Sequence, residues 1–159
     1  MHTIFITGGT GCIGSVTIYK LLQSDNIGKI VVASRSGNHG TLKLWLGEEM
    51  DPRLEFIALD VADYRSISEI LPKINPTHII HLGAYQSPDC SKDHIRGMEI
   101  NTGGTMALFD AAEKLTNLKR FVFASSAAVY GMRAMYPEAT IGEDARLAPP
   151  NHYGIWKLA

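Results

Sequence analysis

The sequence predicts an α/β fold, in which helices cover both faces of a parallel β-sheet. Three observations lead to this prediction. Short apolar runs rich in β-branched residues alternate with longer amphipathic runs. The short runs are apolar along most of their length, as strands buried on both faces are. A glycine-rich turn joins the first short run to the first long one.

The five short runs are predicted strands because of their length and β-branched content. They are Thr3–Thr7, Lys29–Ser34, Leu54–Leu59, His78–Leu82 and Arg120–Ala124. The amphipathic runs between them are predicted helices. They are Cys12–Gln23, Leu42–Glu49, Tyr64–Ile74 and Asp93–Leu115. A last helix is predicted to open near Asn151, which follows Pro149-Pro150 and is a good N-cap.

Composition and charge narrow the functional classes. The chain has 159 residues, 45% of them hydrophobic and 19% charged, as expected for one soluble domain, so disorder, collagen and coiled coil are excluded. Lys plus Arg number 15 against 16 for Asp plus Glu, and a net charge of -1 gives no basic surface for nucleic acid. No apolar run approaches the ~18 residues of a membrane span.

The cysteines indicate neither a disulfide framework nor a metal site. Cys12 and Cys90 are far apart and belong to no CxxC pattern, and the histidines have no ligand spacing. We therefore predict no bound metal and a reducing, cytoplasmic location. No repeat, linker or low-complexity segment divides the chain. We expect residues 1–159 to form one domain.

The glycine-rich turn carries the first functional signal. Strand, turn and helix follow one another in the order of a dinucleotide site, where glycines let a pyrophosphate approach the backbone and the helix N-terminus. Gly9-x-Gly11-x-x-Gly14 matches the general Rossmann fingerprint, and Gly8-x-x-Gly11-x-x-Gly14 matches the register of short-chain dehydrogenases. The loop alone does not choose between them. A turn that merely packs a helix on a strand is the alternative.

The end of the second strand bears on the choice between NAD and NADP. About 20 residues beyond the loop, such sites place an acid for the NAD ribose or a basic group for the NADP phosphate. Ser34 and Arg35 stand there, and no carboxylate does. The sequence favours NADP, although a solvated arginine is an equal alternative for Arg35. Asp60, after the third strand, has two equal interpretations: it binds the adenine amino group or it starts the next helix.

Hydroxyl and amine groups near the C-terminus suggest proton transfer. Ser125 and Ser126 follow the fifth strand, at the edge where open α/β sheets bind ligands. Tyr153 and Lys157 have i, i+4 spacing and share one face of a helix. A nearby ammonium favours the phenolate, so such a tyrosine can exchange a proton with an alcohol or carbonyl near neutral pH. Amphipathic helices also produce this spacing by chance.

Six motifs in order resemble the extended short-chain dehydrogenase/reductase superfamily, in its NAD(P)-dependent epimerase/dehydratase branch. They are TGGTGCIG at 7–14, Asp60-Val61, His81-Leu82-Gly83-Ala84, Asn101-x-x-Gly104-Thr105, Ser125-Ser126-x-x-Val129-Tyr130-Gly131 and Tyr153-Gly154-x-x-Lys157. They cover the chain from Thr3 to Lys157. The resemblance implies a Rossmann-type doubly wound parallel sheet and an NAD(P)-dependent epimerase or dehydrogenase/reductase. It also implies a small-molecule substrate of the nucleotide-sugar class, and it leaves a homodimer open.

The resemblance also implies roles for individual residues. Ser126, Tyr153 and Lys157 become the catalytic set, with Ser126 preferred over Ser125 because it stands four residues before Tyr130. The resemblance places Gly8, Gly11 and Gly14 at the cofactor loop and Asp60 and Val61 near the adenine. Together with the residues after the second strand and those around the other motifs, the predicted cofactor-binding residues are Gly8, Gly11, Cys12, Ile13, Gly14, Ser34, Arg35, Asp60, Val61, Leu82, Gly83, Ala84 and Asn101. Among these, Asn101 is expected to be a structural polar residue.

Two departures from the family pattern have consequences. Gly83 replaces a common alanine, so a looser wall beside the nicotinamide is expected. Ala127-Ala128 stand where dehydratases of this branch carry Asp-Glu. Because alanine cannot transfer a proton, the sequence disfavours a dehydratase.

The chain is also short for the resemblance. Extended members continue past the Tyr-Lys helix with a further strand and a substrate-binding lobe, so we expect an N-terminal fragment, truncated before the last strand. This leaves two alternatives to an enzyme. One is a dinucleotide-binding module or sensor without turnover, and the other is an interaction protein that presents exposed helix faces to a second chain.

Overall fold

The computed structural model describes residues 1–36 and 39–159. Its chain divides into two compact units, which we call the sheet unit and the second unit. The sheet unit comprises Met1–Ala84 and Gly103–Ala124. The second unit comprises Tyr85–Thr102 and Ser125–Ala159.

The sheet unit contains a five-stranded parallel sheet. Its strands are β1 His2–Thr7, β2 Ile27–Ser34, β3 Leu54–Ala58, β4 His78–His81 and β5 Arg120–Phe123. Their order is β3-β2-β1-β4-β5, so the chain reverses direction across the sheet after β3. This topology confirms the predicted Rossmann-type sheet, and each strand lies within two residues of its predicted bounds. The reversal creates a crevice at the carboxyl ends of β1 and β4, where ligands of such sheets bind.

Six α-helices lie within the described residues. They are α1 Cys12–Leu21, α2 Gly40–Leu46, α3 Tyr64–Ile74, α4 His94–Met98, α5 Gly104–Glu113 and α6 His152–Leu158. In the sheet unit, α1 packs against α2 and α3 packs against α5. None of the helices in the described ranges has the length and apolar character to cross a membrane.

The core of the sheet unit follows from strand alternation. Ile4 and Ile6 on β1 join Ile18 of α1 and Leu42 of α2 in one buried cluster. Phe5, which lies between the two isoleucines, points to the opposite face and is also fully buried. Both faces of β1 are therefore buried, which explains why its sequence shows no polar alternation.

The predicted helix Asp93–Leu115 is wrong as one continuous α-helix. The structure places α4 first, then a π-helical segment at Glu99–Gly103, and then α5. Asn101 lies in the π-helical segment, and its side chain forms hydrogen bonds with the Tyr85 backbone instead of facing solvent. The amphipathic pattern predicts a helix from its 3.6-residue period alone, so it contains no information about this tertiary contact.

The second unit is built from short helices and ordered loops. Trp156 of α6 lies directly over Gly97 of α4, where any side chain would overlap the indole ring. The β-carbon of Cys90 borders the same position. This contact joins α4 to α6, and it buries Trp156 and Gly97.

Candidate functional site

The β1–α1 turn brings two backbone segments into direct contact. Gly8 has φ +70°, in the left-handed region that favours glycine. A β-carbon at Gly8 would stand 2.7 Å from the backbone nitrogen of Gly83, which follows β4. The Gly11 N–H donates to the Gly8 carbonyl at 3.1 Å and closes the turn. The loop therefore requires glycine at position 8 for both conformation and space.

Gly14 lets helix α1 begin close to this turn. A β-carbon at Gly14 would overlap the Gly8 carbonyl oxygen and stand 2.5 Å from the Gly9 α-carbon. Gly11, the N-cap of α1, has no side chain to cap the helix, while Cys12 and Ile13 are exposed in its first turn. An exposed helix N-terminus without a side-chain cap can bind an anion such as pyrophosphate.

A buried polar network supports the loop from below. Thr7 Oγ1 lies 2.6 Å from His81 Nδ1, and His81 Nε2 lies 3.0 Å from Thr105 Oγ1. The Gly83 N–H donates to Thr7 Oγ1 at 3.1 Å, and the Leu82 N–H donates to the Thr7 carbonyl. The sequence analysis found no metal-ligand spacing for His81 and did not predict this network. Its position opposite Thr7 in the β1–β4 pairing is the signal that could have revealed this network.

The space beside the Gly83 α-carbon is smaller than the sequence suggested. A β-carbon there would lie 3.0 Å from Thr7 Oγ1 and 3.4 Å from Thr7 Cβ. Thr7 therefore occupies much of the space that an alanine at position 83 would need. Ala84, the last residue of this part of the sheet unit, is half-buried.

The residues at the ends of β2 and β3 differ in their hydrogen bonds and exposure. Ser34 ends β2, and its carbonyl accepts from the Leu59 N–H at 3.0 Å, whereas Arg35 is exposed. Asp60 Oδ1 accepts from the Ala62 N–H at 3.0 Å. The alternative that Asp60 starts the next helix is wrong, because Asp63 is the N-cap of α3 and accepts from the Ser66 N–H.

Val61 and Asn101 have structural contacts. The Val61 carbonyl and side chain lie against Gly104 of α5, where a β-carbon would stand 2.8 Å from the carbonyl oxygen. In the second unit, Asn101 Oδ1 accepts from the Tyr85 N–H at 2.9 Å, and Asn101 Nδ2 donates to the Tyr85 carbonyl at 2.9 Å. Asn101 is buried and fixes the start of the segment that follows Ala84, in line with the structural role expected for it.

Ser126, Tyr153 and Lys157 all lie in the second unit. Ser126 precedes a 3₁₀ turn at Ala127–Val129, and its Oγ accepts from the Ala128 N–H at 3.1 Å. Helix α6 packs against this turn. At Gly154 the contact is so close that a β-carbon would overlap the Ala128 carbonyl oxygen. The turn that carries Ser126 and the helix that carries Tyr153 and Lys157 therefore form one packed element.

Lys157 is buried although its side chain ends in an amine. Only 6% of the residue is exposed. Burial lowers the pKa of Lys157 from 10.5 to about 8, because the charged amine loses its hydration. Most of the lysine is still an ammonium at pH 7, and a modest rise in pH neutralises it. Tyr153, one turn earlier on α6, is half-buried.

Comparison with known proteins gives one family and several relatives. Residues 5–159 match the family described as "GDP-mannose 4,6 dehydratase". A UDP-glucose 4-epimerase of Lacticaseibacillus casei is 34% identical over 158 residues. That alignment covers 99% of this chain and 44% of the epimerase. The chain thus spans less than half the length of this curated relative.

Solved structures share the fold. WbmG of Bordetella bronchiseptica, in complex with NAD and UDP, is 29% identical with a TM-score of 0.78, over 97% of this chain and 46% of that one. A UDP-Glc/GlcNAc 4-epimerase of Campylobacter jejuni is 25% identical with a TM-score of 0.83, over 99% of this chain and 46% of that one. These similarities confirm the fold class predicted from the sequence.

A pair of glycine variants tests the packing of the β1–α1 turn. We expect Gly14→Ala to lower the free energy of unfolding by about 1–3 kcal/mol, because the methyl group overlaps the turn. Gly11→Ala is the matched control, since its β-carbon would meet only the Gly8 carbonyl oxygen, at 3.4 Å. Urea denaturation of the ligand-free chains measures both. Equal stability of the two variants would contradict the packing assigned to Gly14.

The buried lysine predicts a pH-dependent stability. The unfolded chain holds the Lys157 proton up to pH ~10.5, whereas the folded chain releases it near pH 8. The unfolded state therefore binds more protons in this window, and the native protein gains stability as pH rises from 8 to 10.5. Relative to Lys157→Met, the gain should approach about 3 kcal/mol. Urea denaturation of both proteins at pH 7 and pH 10.5 tests this, and a difference that stays constant with pH would contradict it.

Proposed function

Because this chain belongs to the family described as "GDP-mannose 4,6 dehydratase", within the extended short-chain dehydrogenase/reductase superfamily, we propose that it is the dinucleotide-binding part of an NAD(P)-dependent epimerase or dehydrogenase/reductase. One observation carries the proposal. Tyr153 and the buried Lys157 lie on a helix that packs against the turn bearing Ser126. This arrangement suits proton exchange with a substrate hydroxyl.

The sheet unit supplies the residues that would hold the dinucleotide. The turn has no side chain at Gly8, Gly11 and Gly14, and α1 begins directly after it with no side-chain cap at Gly11, so a pyrophosphate could bind the N–H groups of its first turn. When bound, a nicotinamide dinucleotide supplies hydride transfer. The observed turn fits such a group, because Gly8 and Gly14 allow the backbone segments to pack closely and Gly11 leaves the start of α1 without a side-chain cap.

The second unit supplies the proton chemistry. Tyr153 and Lys157 lie one turn apart on α6, and the Tyr153 hydroxyl can exchange a proton with a substrate hydroxyl or carbonyl. Ser126 Oγ already accepts one hydrogen bond from the Ala128 N–H, and its own proton can be donated to the same substrate oxygen. Lys157 loses its own charge as the pH rises above its pKa of about 8.

Epimerisation or net oxidation and reduction fit the residues better than dehydration. Removal of water needs an acid and a base beside the substrate, and the turn after Ser126 contains Ala127 and Ala128. Ala128 instead contributes its carbonyl oxygen to the close contact with Gly154. The two alanines therefore argue against dehydration, and they have no bearing on hydride transfer by the cofactor.

We place the substrate in the nucleotide-sugar class. Support comes from the relatives, which include UDP-glucose 4-epimerases and a structure in complex with NAD and UDP. For the cofactor we propose NAD(P), with NADP favoured. The argument is chemical: β2 ends in Ser34 followed by the exposed Arg35, and a guanidinium there attracts a 2′-phosphate that a carboxylate would repel.

Tyr153→Phe tests the catalytic assignment. We expect turnover of UDP-glucose in the presence of NAD or NADP to fall by about 10²-fold or more, because phenylalanine cannot exchange a proton. The dissociation constant of the dinucleotide should stay within about twofold, since the loop is untouched. NMR of the sugar anomeric signals follows turnover, and fluorescence follows cofactor binding. Undiminished turnover in the variant would refute the role of Tyr153, and cofactor binding without any native turnover would favour a binding module.

Arg35→Ala tests the cofactor preference. Loss of the guanidinium should weaken NADPH binding by about tenfold or more and leave NADH binding within about twofold, because only NADPH carries the 2′-phosphate. Quenching of Trp45 and Trp156 fluorescence on titration measures both affinities. Arg53→Ala is unsuitable as a control, because Arg53 donates to the Leu22 carbonyl at the end of α1. Arg65→Ala, at an exposed arginine on α3, is the matched control. Equal losses for NADH and NADPH would contradict the 2′-phosphate interpretation.

A further inference from the structure

A buried tyrosine outside every motif joins two loops of the second unit. Tyr136 is 7% exposed. Its hydroxyl accepts from the Gly131 N–H at 2.6 Å and donates to the Arg146 carbonyl at 2.7 Å. Gly131 and Arg146 are 15 positions apart in the sequence, and neither belongs to a helix or a strand. One phenol oxygen therefore connects two irregular segments.

The two connected segments lead directly to the proposed catalytic residues. The first runs back from Gly131 through the 3₁₀ turn to Ser126. The second runs forward from Arg146 to Asn151, the N-cap of α6, and so to Tyr153. Next to the Tyr136 bonds, Tyr130 and Leu147 form an isolated antiparallel bridge, and the Ala148 N–H donates to the Val129 carbonyl at 3.1 Å.

These contacts follow one another along the two segments, and we call this series of contacts the ladder. It begins at the Tyr136 hydroxyl, continues through the Tyr130–Leu147 bridge, and ends where Gly154 lies against the Ala128 carbonyl. Few backbone hydrogen bonds connect the segments, so each one has a large influence on their spacing. The Tyr136 bonds close the end of the ladder that is farthest from α6.

Arg133 fixes the tyrosine itself. Its guanidinium donates to the carbonyl oxygens of Tyr136 and Glu138, and to that of Ala139 at 3.4 Å. The Tyr136 N–H donates to the Arg133 carbonyl at 3.1 Å. A planar guanidinium with several donors can hold a turn in this way. The Tyr136 hydroxyl is thus positioned by the burial of its ring and by the hydrogen bonds from Arg133 to the backbone, which we call the Arg133 clamp.

We propose that Tyr136 is a positioning residue that sets the distance between Ser126 and Tyr153 by tying their two segments together. This inference rests on the proposed function for its catalytic meaning, although the structural tie is independent of turnover. Tyr136 does not itself touch reacting groups. Small displacements of positioned groups cost large factors in rate, so loss of the tie should affect the chemical step more than binding.

Amide hydrogen exchange tests the tie without any substrate. In Tyr136→Phe, which keeps the ring but removes both hydrogen bonds, exchange should accelerate by about tenfold or more at Gly131, Ala148 and Gly154. Amides of the sheet unit should stay within about twofold. Tyr64→Phe is the matched control, because it also removes a tyrosine hydroxyl bond, that between Tyr64 and Asp110 in the sheet unit. Acceleration at Gly131 alone, or a uniform increase in both units, would overturn the proposal.

Kinetics and a second variant complete the test. With UDP-glucose and dinucleotide, kcat of Tyr136→Phe should fall by about tenfold while the KM for the dinucleotide stays within about twofold. A kcat within twofold of native, together with faster exchange, would overturn the positioning role. Absence of native turnover would count against the proposed function only, since the exchange data still decide the tie. Arg133→Lys should reproduce the exchange pattern in weaker form, and an unchanged pattern would contradict the clamp.

Discussion

The close approach of backbone to backbone at the carboxyl edge of the sheet is the constraint on which the proposed cofactor site depends. Gly8 lies against Gly83, and Gly14 lies against Gly8, so three glycines meet where any side chain would intrude. This contact aims the start of α1 at the edge of the sheet. An anion can then reach the helix N-terminus without displacing a side chain. The glycines therefore serve both the packing of this edge and the proposed binding of an anion at the start of α1.

The Thr7–His81–Thr105 network explains how that edge stays in register. Each polar atom in the network is buried, and an unpaired one would cost about 1–3 kcal/mol. The arrangement in which the Thr7 hydroxyl donates to Nδ1 and Nε2–H donates to Thr105 uses every one of these atoms. Because Thr7 also accepts from the Gly83 N–H, the network joins the end of β1 to the segment after β4 that packs against Gly8. A shift of one residue between these strands would break the bonds that Thr7 forms with His81 and with Gly83.

Local signals predicted most of the fold, and tertiary contacts account for what they missed. Helix α3 has its predicted bounds because Asp63 caps its start and Asn75, with φ 44°, ends it. The π-helical segment at Glu99–Gly103 was missed because a 3.6-residue pattern carries no signal for it, nor for the hydrogen bond between Asn101 and the Tyr85 backbone. For the site, the glycines and the Tyr153–Lys157 spacing were visible in the sequence. The roles of His81 and Tyr136 were not, since their partners lie on other segments and follow no periodic pattern.

The burial of Lys157 shows how the second unit accommodates an unfavourable group. A desolvated amine with a pKa near 8 costs about 3 kcal/mol relative to an exposed one at neutral pH. The neighbouring Trp156 offsets this cost, because a tryptophan that is 9% exposed over Gly97 removes a large apolar area from water. Gly97 is what allows the indole to lie so close to α4. The same packing holds α6 against α4, and the burial of Lys157 on that helix makes its charge sensitive to pH near 8.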